Sequence, residues 1–309
     1  MVERSKTKAM RIGIVGITQL LGFSRQAYYK QKVDRQKRQK ELLAVRDLIM
    51  QIRGKMPRIG TRKLFYLIED DLRRSNIKMG RDVLFNFLRA EHLLIKPKRS
   101  YVKTTNSKHW MKKYPNLITT LAITRPEQVW VSDITYIRTD HKHNYLSLIT
   151  DAYSKKIMGY ELNSDLSVEG PLKALEMALG NRKYPTRELI HHSDRGLQYC
   201  SADYIEKLKS NGIDISMTQN GDPYENAIAE RINGILKYEF LLIDGFRDHL
   251  EAVSTIKDSI KVYNQERPHL SCEMLTPEQA HRQSQVILRK WNKKPRGYQA
   301  TEVSNNKFN

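Results

Sequence analysis

Cysteine is nearly missing from this chain: Cys200 and Cys272 are the only two among 309 residues. Two thiols so far apart make neither a disulfide framework nor a zinc-ligand pattern, which points to a reducing, cytosolic setting. Long apolar runs are missing as well. The opening MVERSKTKAM holds no apolar core, and the stretch 12–21 is short and broken by Gly13, Gly16 and Gln19, so no secretory leader is expected. No lipidation signal or membrane-length segment occurs, which disfavours a membrane surface as partner. Acid is scarce in the front part: residues 1–125 carry 30 Lys and Arg against 9 Asp and Glu, whereas residues 126–309 carry 24 against 25. The whole formal excess of +20 therefore lies ahead of residue 126. A basic front half is the footprint of a polyanion binder, with nucleic acid as the first candidate.

What the second half does contain is carboxylates in readable local settings. Val129, Val131, Ile134 and Ile137 with Trp130 and Tyr136 form a β-rich apolar run, which sets Asp133 inside a strand. A shorter run from Leu189 through Ser193, stopped by Gly196, ends at Asp194. From Asn226 onward Ile228, Ile232, Ile235, Leu236 and Phe240 recur at helical spacing, so Glu230 stands on an amphipathic helix that Asp222-Pro223 is expected to open. Gly234 and Lys237 share the face of Glu230. Lys237 stands ~10 Å from it along the axis, at ~1.5 Å per residue. Sixty residues separate Asp133 from Asp194, and 35 separate Asp194 from Glu230. Converging carboxylates raise one another's pKa unless a cation holds them together, and oxygen donors favour Mg2+. Two such ions about 3.5–4 Å apart suit an in-line phosphodiester displacement. The spacing alone does not single these three out, because a chain with 34 acids contains many such triples.

The strings WVSDITYI, DAYSKKIMGY, HHSDRGLQY, SMTQNGDPYENAIAERINGILKYE and YNQERPH are more specific. They resemble the second-reading-frame transposases of insertion-sequence family three, whose catalytic core is of the retroviral-integrase-like DDE type. The likeness runs in order from about Arg58 to about His281, most of the chain. It implies an α/β fold with a ribonuclease-H-like mixed sheet, preceded by small helical DNA-binding modules. It also implies that Asp133, Asp194 and Glu230 are the catalytic, metal-binding triad and that Lys237 is a DNA-contacting cation. Two Mg2+ ions per active site are implied, with Mn2+ as a substitute. One departure concerns Glu225, where such transposases often have Asp. That leaves a second glutamate five residues before Glu230, and the 35-residue interval with Lys seven residues on favours Glu230. The His/Cys zinc domain of retroviral integrases has no counterpart in the front part. His191 and His192, without cysteines at ligand spacing, read as strand-end residues first and DNA contacts second.

The expected organisation is an N-terminal helical region (1–56), a second helical DNA-binding module (57–95), a basic linker (96–125), the integrase core with C-terminal helices (126–287) and a polar tail (288–309). In 17–29, Gly22, the N-cap candidate Ser24 and a short helical run outline either a helix-turn-helix or a plain helical hairpin. Leu42, Val45, Ile49, Ile52 and Met56 keep a/d spacing over only two heptads, which favours a core-facing helix over a coiled coil. Thr61 is the expected N-cap of the next helix, and Gly80-Arg81 opens another. In this pair Arg58, Arg62, Lys63 and Arg81 are either phosphate contacts or solvated charges. The linker carries Tyr101, His109, Trp110 and Tyr114 among lysines that include Lys112 and Lys113, and is either a DNA-tracking arm or a tether.

In the core, strands at 129–138, 144–153 and 156–161 form a meander, followed by a helix at 167–181, the Asp194 strand, a helix at 202–210, a strand at 214–217 and the Glu230 helix. Asp151 is either a fourth metal neighbour or a carboxylate that holds its turn through Ser154. The loop 219–224 either grips the scissile strand or follows from turn chemistry. Helices at 249–264 and after Thr276-Pro277 complete the core.

The function expected is that of a DNA transposase. A water molecule cleaves one strand at the element's end, and the freed 3′ hydroxyl attacks a second phosphodiester. By resemblance, such a protein joins one end of its element to the other, releases a circle and integrates it. The partners implied are the terminal inverted repeats, target DNA, further copies of the chain on that DNA, and an upstream-frame product or fusion. The implied location is the bacterial cytoplasm, at the nucleoid. Two alternatives draw on some of the same residues: a metal-dependent nuclease that only cuts, and a non-catalytic DNA-binding regulator.

Overall fold

Ser24 caps the first helix, its hydroxyl accepting a hydrogen bond from the Ala27 N–H at 3.0 Å. In the computed structural model, which describes residues 22, 24–96, 111–140, 142–219 and 226–283, the chain falls into two units, 1–98 and 99–309. The first unit holds α1 (Arg25–Lys55), α2 (Thr61–Arg74) and α3 (Arg81–Ala90). The short helical run expected after Ser24 and the core-facing helix expected around Leu42 are one helix of 31 residues. No Gly or Pro interrupts it before Gly54. A partner helix for the first helix-turn-helix candidate would fall outside the described residues. Val45 and Ile49 of α1 are buried, as are Leu64 and Ile68 of α2 and Leu84 and Leu88 of α3, the same faces the apolar spacing marks.

Thr61 is the first helical residue, and the cap position belongs to Gly60, which makes no side-chain hydrogen bond. Helices α2 and α3 end alike without glycine. Asn76 and His92 take left-handed φ values of 53° and 56°. The next N–H groups, of Ile77 and Leu93, reach back to the Leu72 and Leu88 carbonyls at 2.9 and 2.8 Å. That closes both helices in the Schellman manner.

The second unit is built on a five-stranded sheet of order β3-β2-β1-β4-β5. Strands β1 (Val129–Arg138), β2 (His143–Asp151) and β3 (Ile157–Asn163) form the expected antiparallel meander, while β4 (Leu189–Ser193) and β5 (Ile213–Met217) run parallel to β1. Helix α4 (Glu169–Gly180) links β3 to β4, and Pro171 is tolerated there in the first turn. It lies very close to the sheet: a Cβ on Gly159 would run into the Ala174 carbonyl oxygen. A short helix α5 (Leu197–Cys200), which the sequence patterning did not suggest, precedes α6 (Ala202–Ser210). After β5 come α7 (Ala227–Glu239), α8 (His249–Gln265) and α9 (Pro277–Arg282), the last with a Thr276–Gln279 capping box. A mixed sheet with this strand order and its helical crossovers is the ribonuclease-H-like α/β arrangement.

Alternation along β1 sends Trp130 to a core with Ile149, Met158, Ala174, Leu175 and Tyr204, and Val129 and Val131 to the opposite face, with Ala152 and Ala229 of α7. Residues 111–125, expected as linker, have no regular secondary structure but are packed down. Met111 and Tyr114 cover the first of these cores, and Ile118, Leu121 and Ile123 the second. Asp151 is structural and not a metal neighbour. Its Oδ1 accepts from the Ser154 N–H and hydroxyl, both at 2.7 Å, and its Oδ2 from the Glu127 N–H at 2.7 Å. Cys200 and Cys272 are buried free thiols. Among the described residues no helix is long and apolar enough to cross a membrane.

Candidate active site

Asp133 shares the odd-numbered face of β1 with Val129 and Val131, the face on which α7 packs. The parallel pairing of β1 with β4 runs to Ser132 opposite Ser193. Asp133 and Asp194 are thus the next residues along neighbouring strands and stand side by side, Asp133 within β1 and Asp194 just past the end of β4. Helix α7 is tied to this point twice. Asn226, its N-cap, donates from Nδ2 to the Ser132 carbonyl at 3.0 Å, and Asn233 donates from Nδ2 to Asp133 Oδ2 at 2.7 Å. Glu230 lies between them, one turn ahead of Asn233, and Lys237 one turn beyond, so residues 226, 230, 233 and 237 form one helical stripe.

The electrostatics match that placement. Burial, then the neighbouring charge of Asp194, push the Asp133 carboxyl up to about 7, with a smaller contribution from Glu230. The hydrogen bonds from Asn233 and from the Ile134 N–H (3.0 Å) oppose the rise. Partial loss of hydration raises the Glu230 carboxyl also. Burial lowers the Lys237 ammonium, and the Asp133 charge works against that fall. Asp194 accepts the Gly196 N–H at 3.0 Å, which holds its carboxylate over the turn into α5. Among the described residues no three His, Cys, Asp or Glu stand close enough to grip an ion as they are. The donor set nevertheless fits a hard divalent cation: all its atoms are carboxylate oxygens, and Asp133 is held near two like charges that a cation would neutralise.

Asn226 and Asn233 were not among the residues the sequence patterning suggested. The one signal for them is two amides seven residues apart, spanning Glu230 on the same helical stripe. Asn233→Ala is expected to cut activity about 10- to 100-fold, as loss of a group that orients a metal-holding carboxylate does. The half-saturating Mg2+ concentration should rise with it. An activity and Mg2+ dependence equal to wild type would show that Asn233 does not orient Asp133.

The histidines are internal. His191 is buried, with Nε2 2.7 Å from the Ser132 hydroxyl and 3.0 Å from the Tyr204 hydroxyl, and burial lowers its pKa to about 3. His192 Nδ1 meets the Ser216 hydroxyl at 2.8 Å. Neither reaches the surface to contact DNA. Arg62, Arg81, Lys112 and Lys113 are exposed, although Arg81 is paired with Asp82 at 2.9 Å. Arg58 is half-buried and donates to the Lys96 carbonyl at 2.7 Å. Lys63 is buried, so it is not a surface contact for phosphate. Tyr114 is packed on the core and is not free for base stacking, while Tyr101, His109, Trp110, Glu225 and residues 220–224 of the loop before α7 lie outside the described residues.

The sheet is ribonuclease-H-like and acids stand on β1, after β4 and on α7; relatives in sequence place the chain in the polynucleotidyl-transferase class. Integrase core domain models match residues 123–223 and 211–277. The insertion element IS600 uncharacterized 31 kDa protein of Shigella sonnei is 37% identical over 264 residues, which cover 84% of this chain and 95% of that protein. Transposase InsF for insertion sequence IS3A of Escherichia coli (strain K12) is 33% identical over 214 residues, covering 69% of this chain and 74% of InsF. Among solved structures, the HTLV-2 integrase catalytic core domain in complex with magnesium is 20% identical with a TM-score of 0.41, over 52% of this chain and 98% of that one. The simian T-cell lymphotropic virus intasome in complex with a PP2A regulatory subunit is 17% identical with a TM-score of 0.46, over 81% of this chain and 77% of that one. The chain belongs to the IS3 family of transposases, with an integrase-like core, and is a DNA transposase.

Proposed function

We propose that Asp133, Asp194 and Glu230 hold a pair of divalent cations, Mg2+ or in its place Mn2+, and that this site cuts one DNA strand at each end of the element and then joins it. The observation that carries this is the pinning of α7 to β1. The Asn233–Asp133 hydrogen bond, with Asp194 just past the neighbouring strand, sets the helix stripe that carries Glu230 and Lys237 against Asp133. When bound, the cations supply activation of the attacking oxygen and neutralisation of the leaving one. The three carboxylates hold and space them. Asn233 orients Asp133, and the Lys237 ammonium draws the substrate phosphate. In the first reaction a water oxygen forms a bond to phosphorus and the bond to the 3′ oxygen breaks, which leaves a 3′ hydroxyl. In the second, that hydroxyl attacks another phosphodiester and displaces its 3′ oxygen, so that one bond is made for one broken.

The substrates on this proposal are the element's terminal inverted repeats and target DNA, held by several copies of the chain in the cytoplasm at the nucleoid. An upstream-frame product or fusion would add end recognition. The test is a strand-joining assay in Mg2+ on labelled element ends, comparing wild type with Glu230→Gln and Glu225→Gln. Joining is expected to vanish with Glu230→Gln alone; retention in that variant and loss in Glu225→Gln would move the third carboxylate to Glu225.

Removal of metal has an expected signature of its own. With Asp133 at about 7 when folded against 3.8 when free, the folded protein keeps a proton that the unfolded chain loses across this window. The contribution of this group to stability is therefore present at low pH and is lost as pH rises through that window. Chelator-treated protein should lose Tm over this range, and added Mg2+ should raise Tm more at its upper end than at its lower. An equal Mg2+ effect at both ends would separate the cation from Asp133.

A further inference from the structure

Two tyrosines share the interior of the second unit, Tyr199 of α5 and Tyr204 of α6, and both are buried. Their rings meet edge to face with 5.4 Å between centres. Each also lies against the His191 ring, Tyr199 at 6.1 Å and Tyr204 at 5.4 Å. The two hydroxyls differ. That of Tyr204 is 3.0 Å from His191 Nε2, which the Ser132 hydroxyl also approaches at 2.7 Å. That of Tyr199 is buried and has no hydrogen-bond partner among the described residues. A buried donor without a partner is destabilising, and native proteins keep few of them.

Three observations connect this hydroxyl with the carboxylates. Burial, then the charges of Tyr204, Asp133 and Asp194, raise its pKa, so it keeps its proton and stays a donor within electrostatic reach of both acids. Asp194 and Tyr199 flank the same glycine: a Cβ on Gly196 would lie 3.1 Å from Asp194 Oδ1 and 3.7 Å from Tyr199 Cδ2. Among the described residues no three acids stand close enough to grip an ion as they are, so their side chains must turn to hold one. Asp133 is the less suited acceptor for Tyr199. Its carboxylate already takes Asn233 Nδ2 at 2.7 Å and the Ile134 N–H at 3.0 Å. It also lies on the α7 face of β1, whereas Tyr199 belongs to the core on the Trp130 face. Asp194 stands past the end of β4, five residues before Tyr199.

We propose that Tyr199 is a positioning residue of the cation site: when the carboxylates close on a cation, the Tyr199 hydroxyl donates to Asp194 and holds it in the ligating orientation. This rests on the reading of Asp133, Asp194 and Glu230 as cation ligands. The test compares full-length wild type, Y199F and Y204F without DNA, by melting temperature against Mn2+ concentration after chelator treatment. Without metal, Y199F should melt no lower than wild type, because the hydroxyl it loses has no partner. Y204F should melt ~2–4 °C lower, because it takes a partner from His191. The metal dependence should sort the two variants the other way. Half-saturating Mn2+ should rise about tenfold for Y199F, as on loss of a group that orients a metal ligand, and stay at the wild-type value for Y204F. On labelled element ends, cleavage by Y199F should be weak at low Mn2+ and return toward wild type at saturating Mn2+. A wild-type half-saturating concentration in Y199F overturns the proposal. So does a lower melting temperature for metal-free Y199F with unaltered metal dependence, which would make the hydroxyl part of the fold alone. If Mn2+ leaves the melting temperature of wild type itself unchanged, the cation-ligand reading of the three carboxylates fails, and the role of Tyr199 fails with it.

Discussion

Asp133→Asn is expected to abolish strand cleavage and strand joining together, by ~10²–10³-fold or more, while duplex binding survives. Asparagine keeps the shape and one oxygen but removes the charge that Asp194 and Glu230 act upon. The same electrostatics say that the isostere will not unfold the site. Losing one of several like charges relieves repulsion, and chelator-treated Asp133→Asn should melt no lower than chelator-treated wild type. Labelled element ends in Mg2+ report the chemistry, and gel shift in chelator reports binding. Joining at wild-type rates would sink the carboxylate assignment. Loss of cleavage together with loss of binding would instead make Asp133 a structural residue.

The largest effect on stability is expected away from the carboxylates, at Arg267. Its guanidinium is 1% exposed and forms a fork with Glu239, two hydrogen bonds of 2.8 Å, at the last residue of α7. It also donates to the Pro268 carbonyl at 3.3 Å and lies 5.6 Å from the Tyr263 ring centre. Arg267→Met leaves Glu239 short of its cation. Breaking a buried pair costs ~3–5 kcal/mol, and Glu239, still 20% exposed, places this one at the lower end. At ~2–4 °C per kcal/mol for a unit of this size, Tm should drop by ~6–12 °C. Arg267→Lys should recover little, since one point charge cannot reproduce the fork. The double variant Arg267→Met with Glu239→Gln should regain more than half of the loss. A Tm for Arg267→Met equal to wild type would mean that the pair does not anchor α7. Because α7 carries Glu230, activity should fall with Tm in the single variant and return with it in the double.

Features visible in the chain were those with short-range causes. The run from Val129 to Arg138 is rich in β-branched and aromatic residues and is a strand over that span; Ser154 three residues after Asp151 made the turn-holding role legible. Helix α1 was legible only in part, because the apolar repeat that marks a packed helix exists in its second half and the first half packs against nothing described. Lys63 looked like its neighbour Arg62, and burial told them apart.

By itself the sequence determined the family, the strands that carry Asp133 and Asp194, the helix that carries Glu230, and the concentration of positive charge ahead of the core. The family is carried by the likeness of the motif strings, and the rest follow from hydrophobic periodicity, turn residues and composition, which act within a few residues. Only the tertiary structure decided that Asp133 and Asp194 are lateral neighbours, that Asn226 and Asn233 lash α7 to β1, and that His191 and His192 are interior. Each of these depends on strand order and register between segments some 60 to 100 residues apart, with partners chosen by packing in space and not by spacing along the chain.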